Sequence, residues 1–496
     1  MSLLRFWEAT RLRAGHALPA AVAGDGPARD VDGFRSALAH VLGRGCGPRT
    51  GTVVGKHGIS VQARTTPSAG ALYPFEVVVG LPDGTSHLYD VDVARIRALP
   101  GCGVVPLPEL VRRTGLAVPP DRSLRAVVTL VARPWKAMVK YGLRGYLYTH
   151  LDIGHAASNI AVSARELGLD AVVHVRFDRR RLAEALALTD MCREPQVVVT
   201  LSGGRFDGGD PVAASPSAGA PAPVWHTGRP ARLDPPDEEE RANWDELRDV
   251  SPYAADIPAP RLGRSTSVEP PEQPAREVVP LPHGVPAARE DFTRVALDRR
   301  SAKGFLPRPL TARQVLDLFA DAADPADVDC ADSRGVGVRV LVRAADGLTP
   351  GVYAYSPPAH ALHLVGEPAG RAVTEEEVLA TCMGQPGLRH AAAFVHLHVP
   401  VRRLLAERGR AGLAEIHYHA AHVAQSLCLS AARHGVGITC IGGFDEVRCG
   451  DLIGLPDDDE VVYLLAIGVP DPGARKLDRD AIAHSHGRGP ATGWGE

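Results

Sequence analysis

Three stretches carry residue types that could hold a flat, charged ligand. The first is Arg64-Thr65-Thr66-Pro67-Ser68-Ala69-Gly70-Ala71-Leu72-Tyr73-Pro74, which runs into the apolar Val77-Val78-Val79. Pro67, Ser68, Ala69 and Gly70 make a turn of small residues ahead of a buried strand. Such a turn lets a planar ligand approach the backbone, and Ser68 and Arg64 can meet its polar groups. An ordinary loop before a strand has the same composition. The second stretch is Arg299-Arg300-Ser301, whose guanidiniums suit a phosphate, although an exposed basic pair before a helix reads alike. The third is Ile441-Gly442-Gly443. Two residues without Cβ atoms open their N–H groups to a ring edge, or simply let a strand turn away. A fourth group, His417, His419 and His422, invites a metal reading, since Glu415, His419 and His422 share one helical face. His417 and His422 have counterparts in His150 and His155, so packing or substrate contact is expected and no metal.

The elements that must position these groups are set by size and pattern. A chain of 496 residues is too long for one ordinary core and suggests two domains and a linker. Apolar content of 45%, charged content of 23% and a formal charge of −3 fit a globular protein without a nucleic-acid partner. The eight cysteines are scattered, with no C-x-x-C pair, as expected of free thiols in the cytoplasm. Met1 to Gly24 is interrupted by Arg5, Glu8, Arg11 and Arg13 and lacks the apolar core of a signal peptide. No run is apolar enough to span a bilayer, so no membrane is expected.

Helical spacing predicts helices over about 30–45, 148–167 and 410–433, the last two stopped by Gly168 and Gly435. Cys46 to Thr52 reads as a Gly-rich turn that fails the spacing of a phosphate loop. Strands are predicted at 77–80, 87–90, 126–132, 336–343, 351–355 and 391–400. Val197–Leu201 and Val461–Val469 are expected to close the two sheets. From Gly203 to about Pro286, Pro, Ala, Gly and Asp dominate, which reads as a linker with one short helix near Glu238–Arg248. Thr311 is a plausible helix N-cap.

The chain also repeats itself. A shift of 267 positions lays His155–Gly168 on His422–Gly435 without a gap, and Phe177-Asp178 on Phe444-Asp445. The copies differ at the chemistry-bearing stretches. Ile441-Gly442-Gly443 faces His174-Val175-Arg176; Arg299-Arg300-Ser301 has no equivalent before Phe34; and Asp332–Gly335 stands where a Pro-Ser turn would be.

Arg64 to Pro74 resembles the signature turn of the SagB/McbC-type azoline dehydrogenases of the nitroreductase superfamily, which mature ribosomally made peptides. The resemblance implies an α+β fold, with two nitroreductase-like domains fused as an intrachain pseudo-dimer, each a mixed, mainly antiparallel sheet flanked by helices. The expected division is 1–203, a linker over 204–286, and 287–496. It further implies FMN at the seam, held by Arg64, Pro67, Ser68, Ala69 and Gly70 from one half. Arg299, Arg300, Ser301, Ile441, Gly442, Gly443 and Arg475 from the other would complete one composite site and leave its pseudo-symmetric mate ruined. Lys140-Tyr141 resembles the catalytic Lys-Tyr pair of these dehydrogenases, with either residue open as the base; burial beside an apolar substrate would adapt a lysine to that task. The implied reaction oxidises thiazolines or oxazolines of a precursor peptide to thiazoles or oxazoles, beside a cyclodehydratase partner. A general flavin reductase for nitro compounds or quinones, and a flavin-free scaffolding protein, are the alternatives.

Overall fold

The computed structural model describes residues 33–54, 60–91, 94–102, 105–118, 123–142, 144–189, 191–204, 224–226, 230–247, 277–282, 292–320, 328–330, 336–366, 373–409 and 411–474. Two seven-stranded sheets carry the fold. The first has the edge-to-edge order Leu169–His174, Glu194–Gly203, Leu124–Ala132, Phe75–Gly80, Ser86–Asp90, Arg95–Ala98 and Val224–His226. All its pairings are antiparallel except the last. The second has the order Glu277–Pro280, Ala361–Gly366, Gly351–Ser356, Gly337–Val342, Ala393–Val399, Glu460–Gly468 and Gly437–Ile441, antiparallel throughout. The central strands, such as Leu124–Ala132 and Ala393–Val399, are largely apolar and buried on both faces. This is why they read as apolar runs rather than alternating ones.

Two helices, Arg144–Glu166 and Ala411–His434, lie side by side between the sheets and are buried over most of their surface. Small residues allow the approach. A Cβ on Gly154 would stand 2.5 Å from the Cβ of Ala421. Gly154 and Ala421 are equivalent under the 267-residue shift, so a pseudo-two-fold axis passes between them. The polar contacts obey the same axis. His155 Nδ1 meets Gln425 Oε1 at 2.7 Å, and Ser158 Oγ meets His422 Nδ1 at 3.2 Å, the same two positions exchanged. That reciprocity is the mark of an isologous interface, here inside one chain.

Several expectations change. Pro48–Val54 is a strand paired with Ser60–Arg64 rather than a turn, because the glycines there are too few to break the extended run. Glu194–Gly203 and Glu460–Gly468 do not close their sheets; Leu169–His174 and Gly437–Ile441 flank them at the edges. The first central helix begins at Arg144, one turn early, directly after the short helix Trp135–Tyr141 and Gly142 at φ 59°. The stretch between the halves is partly structured. Val224–His226 adds to the first sheet, Glu238–Leu247 is helical, and Glu277–Pro280 adds to the second sheet. Thr311 caps its helix through a reciprocal box with Gln314.

Candidate functional site

The turn at Pro67–Gly70 is built under strain. Gly70 sits at φ 64°, and Ala71 and Tyr73 follow at 57° and 44°, a left-handed region that a bulky residue enters only when held there. Ser68 does the holding: its Oγ accepts from the Tyr73 amide at 2.9 Å and donates to Asp152 Oδ2 at 2.5 Å. The other oxygen of Asp152 accepts from the Ala69 amide at 3.1 Å. Asp152 lies on the first central helix and is 3% exposed. Burial drives its pKa up to about 7, against the Ser68 and Ala69 hydrogen bonds that pull it down.

Upstream of the turn, cations from both halves collect. Arg299 Nε donates to the Thr65 carbonyl at 2.8 Å across the seam, and its Nη1 reaches Ser301 Oγ at 3.2 Å. Arg49 Nε donates to the Arg64 carbonyl at 3.1 Å, and the Arg64 guanidinium lies 4.2 Å over the Tyr73 ring. Arg300 is exposed and turns back onto the carbonyls of Leu297 and Arg299. Burial, then the charges of Arg300 and Arg299, hold Arg49 down to about 9. Arg300, whose guanidinium is only partly covered, is lowered too, by that partial burial and by the charge of Arg299. Arginines crowded this closely form a pocket of positive potential suited to a phosphate. The hydroxyls of Thr65 and Thr66 are buried beside it without a hydrogen-bond partner among the described residues. This donor set fits the phosphate end of FMN.

Downstream of the turn lies the second cluster. A Cβ built on Gly70 would stand 2.4 Å from Tyr141 Oη and 2.7 Å from Lys140 Nζ, so both tips lie against that glycine. Lys140 is exposed, while Tyr141 is buried and meets the Tyr148 ring edge-on at 5.1 Å. Tyr148 in turn fills the space that a Cβ on Gly442 would need, at 2.7 Å. Arg144 ties these parts together, donating to the Gly442 carbonyl at 2.9 Å and to Tyr148 Oη at 3.1 Å and pairing with Glu446. The Gly443 carbonyl accepts from Gln385 at 3.0 Å. Ile441 packs into the core with Phe305 and Leu464, so only its backbone can face the seam. Pro67 is buried. Arg475 lies outside the described residues. A cavity of about 140 Å³ adjoins this cluster, lined by Arg144, Tyr148, His417, Gly442 and Tyr463 among others. A larger cavity of about 460 Å³, between Pro307–Pro309 and Arg389–Ala391, contains none of these residues.

At the pseudo-symmetric positions the seam is filled instead. Tyr141, Tyr148 and Gly443 correspond to Arg408, Glu415 and Arg176. Glu415 binds Arg176 at 2.7 Å and also pairs with Arg408. Burial raises the Glu415 pKa, but the two arginines outweigh it and keep the carboxylate ionised. The amides of Val175 and Arg176 donate to Asp329 at 2.8 and 3.0 Å. The histidine patch is likewise engaged: His417 with the Leu413 carbonyl, His419 with Cys330, and His422 with Ser158.

A family model for the nitroreductase family matches residues 58–205 and 296–469, one segment in each half. The chain belongs to the nitroreductase family. Members of this family are generally FMN-dependent oxidoreductases. A nitroreductase-family protein of Methanocaldococcus jannaschii is 28% identical over 136 residues, which is 26% of this chain and 65% of that relative's length. Among solved structures, a nitroreductase-like protein of Anabaena variabilis superposes with a TM-score of 0.65 at 20% identity, covering 89% of this chain and 90% of its own. That likeness extends the nitroreductase fold over both halves. The Escherichia coli microcin synthetase McbBCD complex covers 42% of this chain and 83% of its matching chain at 17% identity, with a TM-score of 0.28, too slight a likeness to carry an argument. Among the described residues no helix is long and apolar enough to cross a membrane, and no group of side chains could hold a metal ion. Two residues of the site, Asp152 and Arg49, had no signal in the sequence beyond being single polar residues in apolar or extended runs.

Proposed function

We propose that this nitroreductase-family chain is a cytoplasmic, FMN-dependent dehydrogenase that oxidises thiazoline or oxazoline rings of a ribosomally made precursor peptide, working beside a cyclodehydratase. The domain division 1–203 and 287–496, with 204–286 between, belongs to the same reading. The observation that carries it is the meeting of Lys140 and Tyr141 at Gly70, one turn from Ser68 and across the seam from Gly442. Arg49, Arg64, Arg299, Arg300 and Ser301 would hold the phosphate, and residues 65–70 lead from there to the Lys-Tyr pair. Arg475 would add charge to the same end.

FMN, when bound, would supply the hydride acceptor for the azoline, with dioxygen as the final oxidant. The chain's own residues handle the proton. Lys140 and Tyr141, whose tips meet at Gly70, are placed to take the proton from the ring carbon, either one as base once bound substrate covers the exposed lysine, with Tyr141 held by the Tyr148 ring. Arg144 keeps Tyr148 against Gly442 and so holds the base side of the pocket in place.

A Lys140→Ala variant is expected to purify with its FMN absorbance intact and to stop removing two hydrogens per azoline from the peptide, read by mass spectrometry. Peptide oxidation at the wild-type rate would sink the assignment.

A further inference from the structure

The seam holds one pair of groups that the proposed reaction does not use. Cys428, on the second central helix, and Cys440, on the edge strand Gly437–Ile441, have their sulfurs 3.7 Å apart. Both are free thiols; Cys428 is buried and Cys440 is partly exposed. Cys440 immediately precedes Ile441-Gly442-Gly443, and its side chain also touches His155 and Tyr463. The repeat makes the pair specific to this seam. The equivalent positions in the first half are Ala161 and Val173, which pack as plain aliphatic residues at 4% and 1% exposure. Packing at these two positions therefore needs no sulfur, yet the half that presents the Gly-Gly turn carries both.

We propose that Cys428 and Cys440 are a redox pair that closes to an intrachain disulfide on exposure to hydrogen peroxide, tethering the strand that presents Gly442 and Gly443 to the central helix. The Cys440 thiolate attacks one peroxide oxygen, breaking the O–O bond to leave a sulfenic acid and one water. Cys428 then attacks that sulfur and expels the second water. Two thiols thus give up two electrons and two protons, and one peroxide becomes two waters. The hydrogen bond from Cys428 favours the thiolate at Cys440, while the same contact and burial keep Cys428 protonated. The sulfurs start in contact and close from 3.7 Å to about 2 Å as the bond forms. The tether acts on an edge strand, which has a sheet neighbour on one side only.

Peroxide is what dioxygen yields when it reoxidises a flavin, so the pair would sense turnover under the reading above. The test supplies peroxide directly and is independent of that reading. The purified full chain is treated with a few equivalents of hydrogen peroxide, its remaining thiols are alkylated, and it is digested without reduction. The expected product is a Cys428–Cys440 cross-linked peptide, two hydrogens lighter than the sum, with both thiols lost together. Cys428→Ala and Cys440→Val install the residues of the first half and so conserve its packing. The first should abolish the cross-link and leave a dimedone-reactive Cys440; the second should leave Cys428 alkylatable. Cysteines 428 and 440 both remaining alkylatable in the treated wild type, oxidation of Cys440 to sulfinic acid without a cross-link, or a bridge to another cysteine would each overturn the proposal.

Discussion

At the scale of single residues the site turns on a carboxyl that prefers to be neutral. Asp152 is buried, and its pKa rises from the ordinary 3.8 to about 7. Between those values the folded chain keeps a proton that the unfolded chain has released. This group's contribution to stability is therefore full below about pH 4 and is lost as pH rises to about 7. Asn has the shape of the protonated acid and can accept from Ala69 while donating to Ser68. Asp152→Asn should thus become more stable relative to wild type, by on the order of 2–4 kcal/mol, as pH goes from 4 to 8. Urea midpoints of both proteins across that range measure it, and parallel pH profiles would show that Asp152 does not titrate there. Arg49 poses the converse case, a buried cation crowded by Arg299 and Arg300. Removing it relieves repulsion in the apo chain but takes a donor from the phosphate. Arg49→Met should leave thermal stability unchanged or raised and weaken FMN binding by about tenfold, in keeping with a charged hydrogen bond of ~1.5 kcal/mol. Unchanged affinity by fluorescence titration would place the phosphate elsewhere.

At the scale of elements the strained turn is the part most sensitive to a single methyl group. Gly70→Ala puts a side chain at φ 64° and drives it against Tyr141 Oη, which the Tyr148 ring leaves little room to move. The left-handed backbone alone costs about 1–2 kcal/mol. The expected result is an unfolding free energy lower by that amount, read as a lower urea midpoint at unchanged slope, and azoline oxidation reduced at least about tenfold, on the rate side rather than in KM, because Tyr141 is displaced. A variant with the wild-type midpoint and rate would mean that the turn and the Lys-Tyr pair do not meet in solution. The elements themselves were largely legible. The apolar runs announced the central strands, Gly168 and Gly435 announced where the long helices stop, and Thr311 announced its own cap. The short strands Leu169–His174, at one sheet edge, and Arg95–Ala98, beside the other, were not, since neither alternates long enough to show a period. Nor were Val224–His226 and Glu277–Pro280, which become strands only because a sheet edge is there to receive them. Within the site, the stretches dense in unusual residues could be read, whereas Asp152 is one acid in an apolar helix and its partner Ser68 lies 84 positions away.

At the scale of the whole molecule the repeat makes two seams, and physics treats them differently. One gathers glycines, tyrosines and the arginines Arg49, Arg64, Arg299 and Arg300. In the other, the equivalent positions are occupied by an ion-paired Arg176–Glu415–Arg408 cluster, with Asp329 taking the amides of Val175 and Arg176. A buried, fully paired carboxylate cannot be displaced by a ligand phosphate without leaving charges uncompensated, at a cost of about 3–5 kcal/mol. The second seam also lacks backbone clearance, because Val175 and Arg176 stand where Gly442 and Gly443 are open. The chain should therefore bind one FMN, not the two of a symmetric pair. Titration of the flavin-stripped full chain, followed by flavin fluorescence and by absorbance of the desalted complex, should saturate at one equivalent per chain. Arg299→Ala should weaken that single equivalent by about tenfold or more, because Arg299 bonds the Thr65 carbonyl across the seam as well as facing the phosphate. Two equivalents per chain would mean that the filled seam opens and that the asymmetry of the two halves is not what sets the stoichiometry.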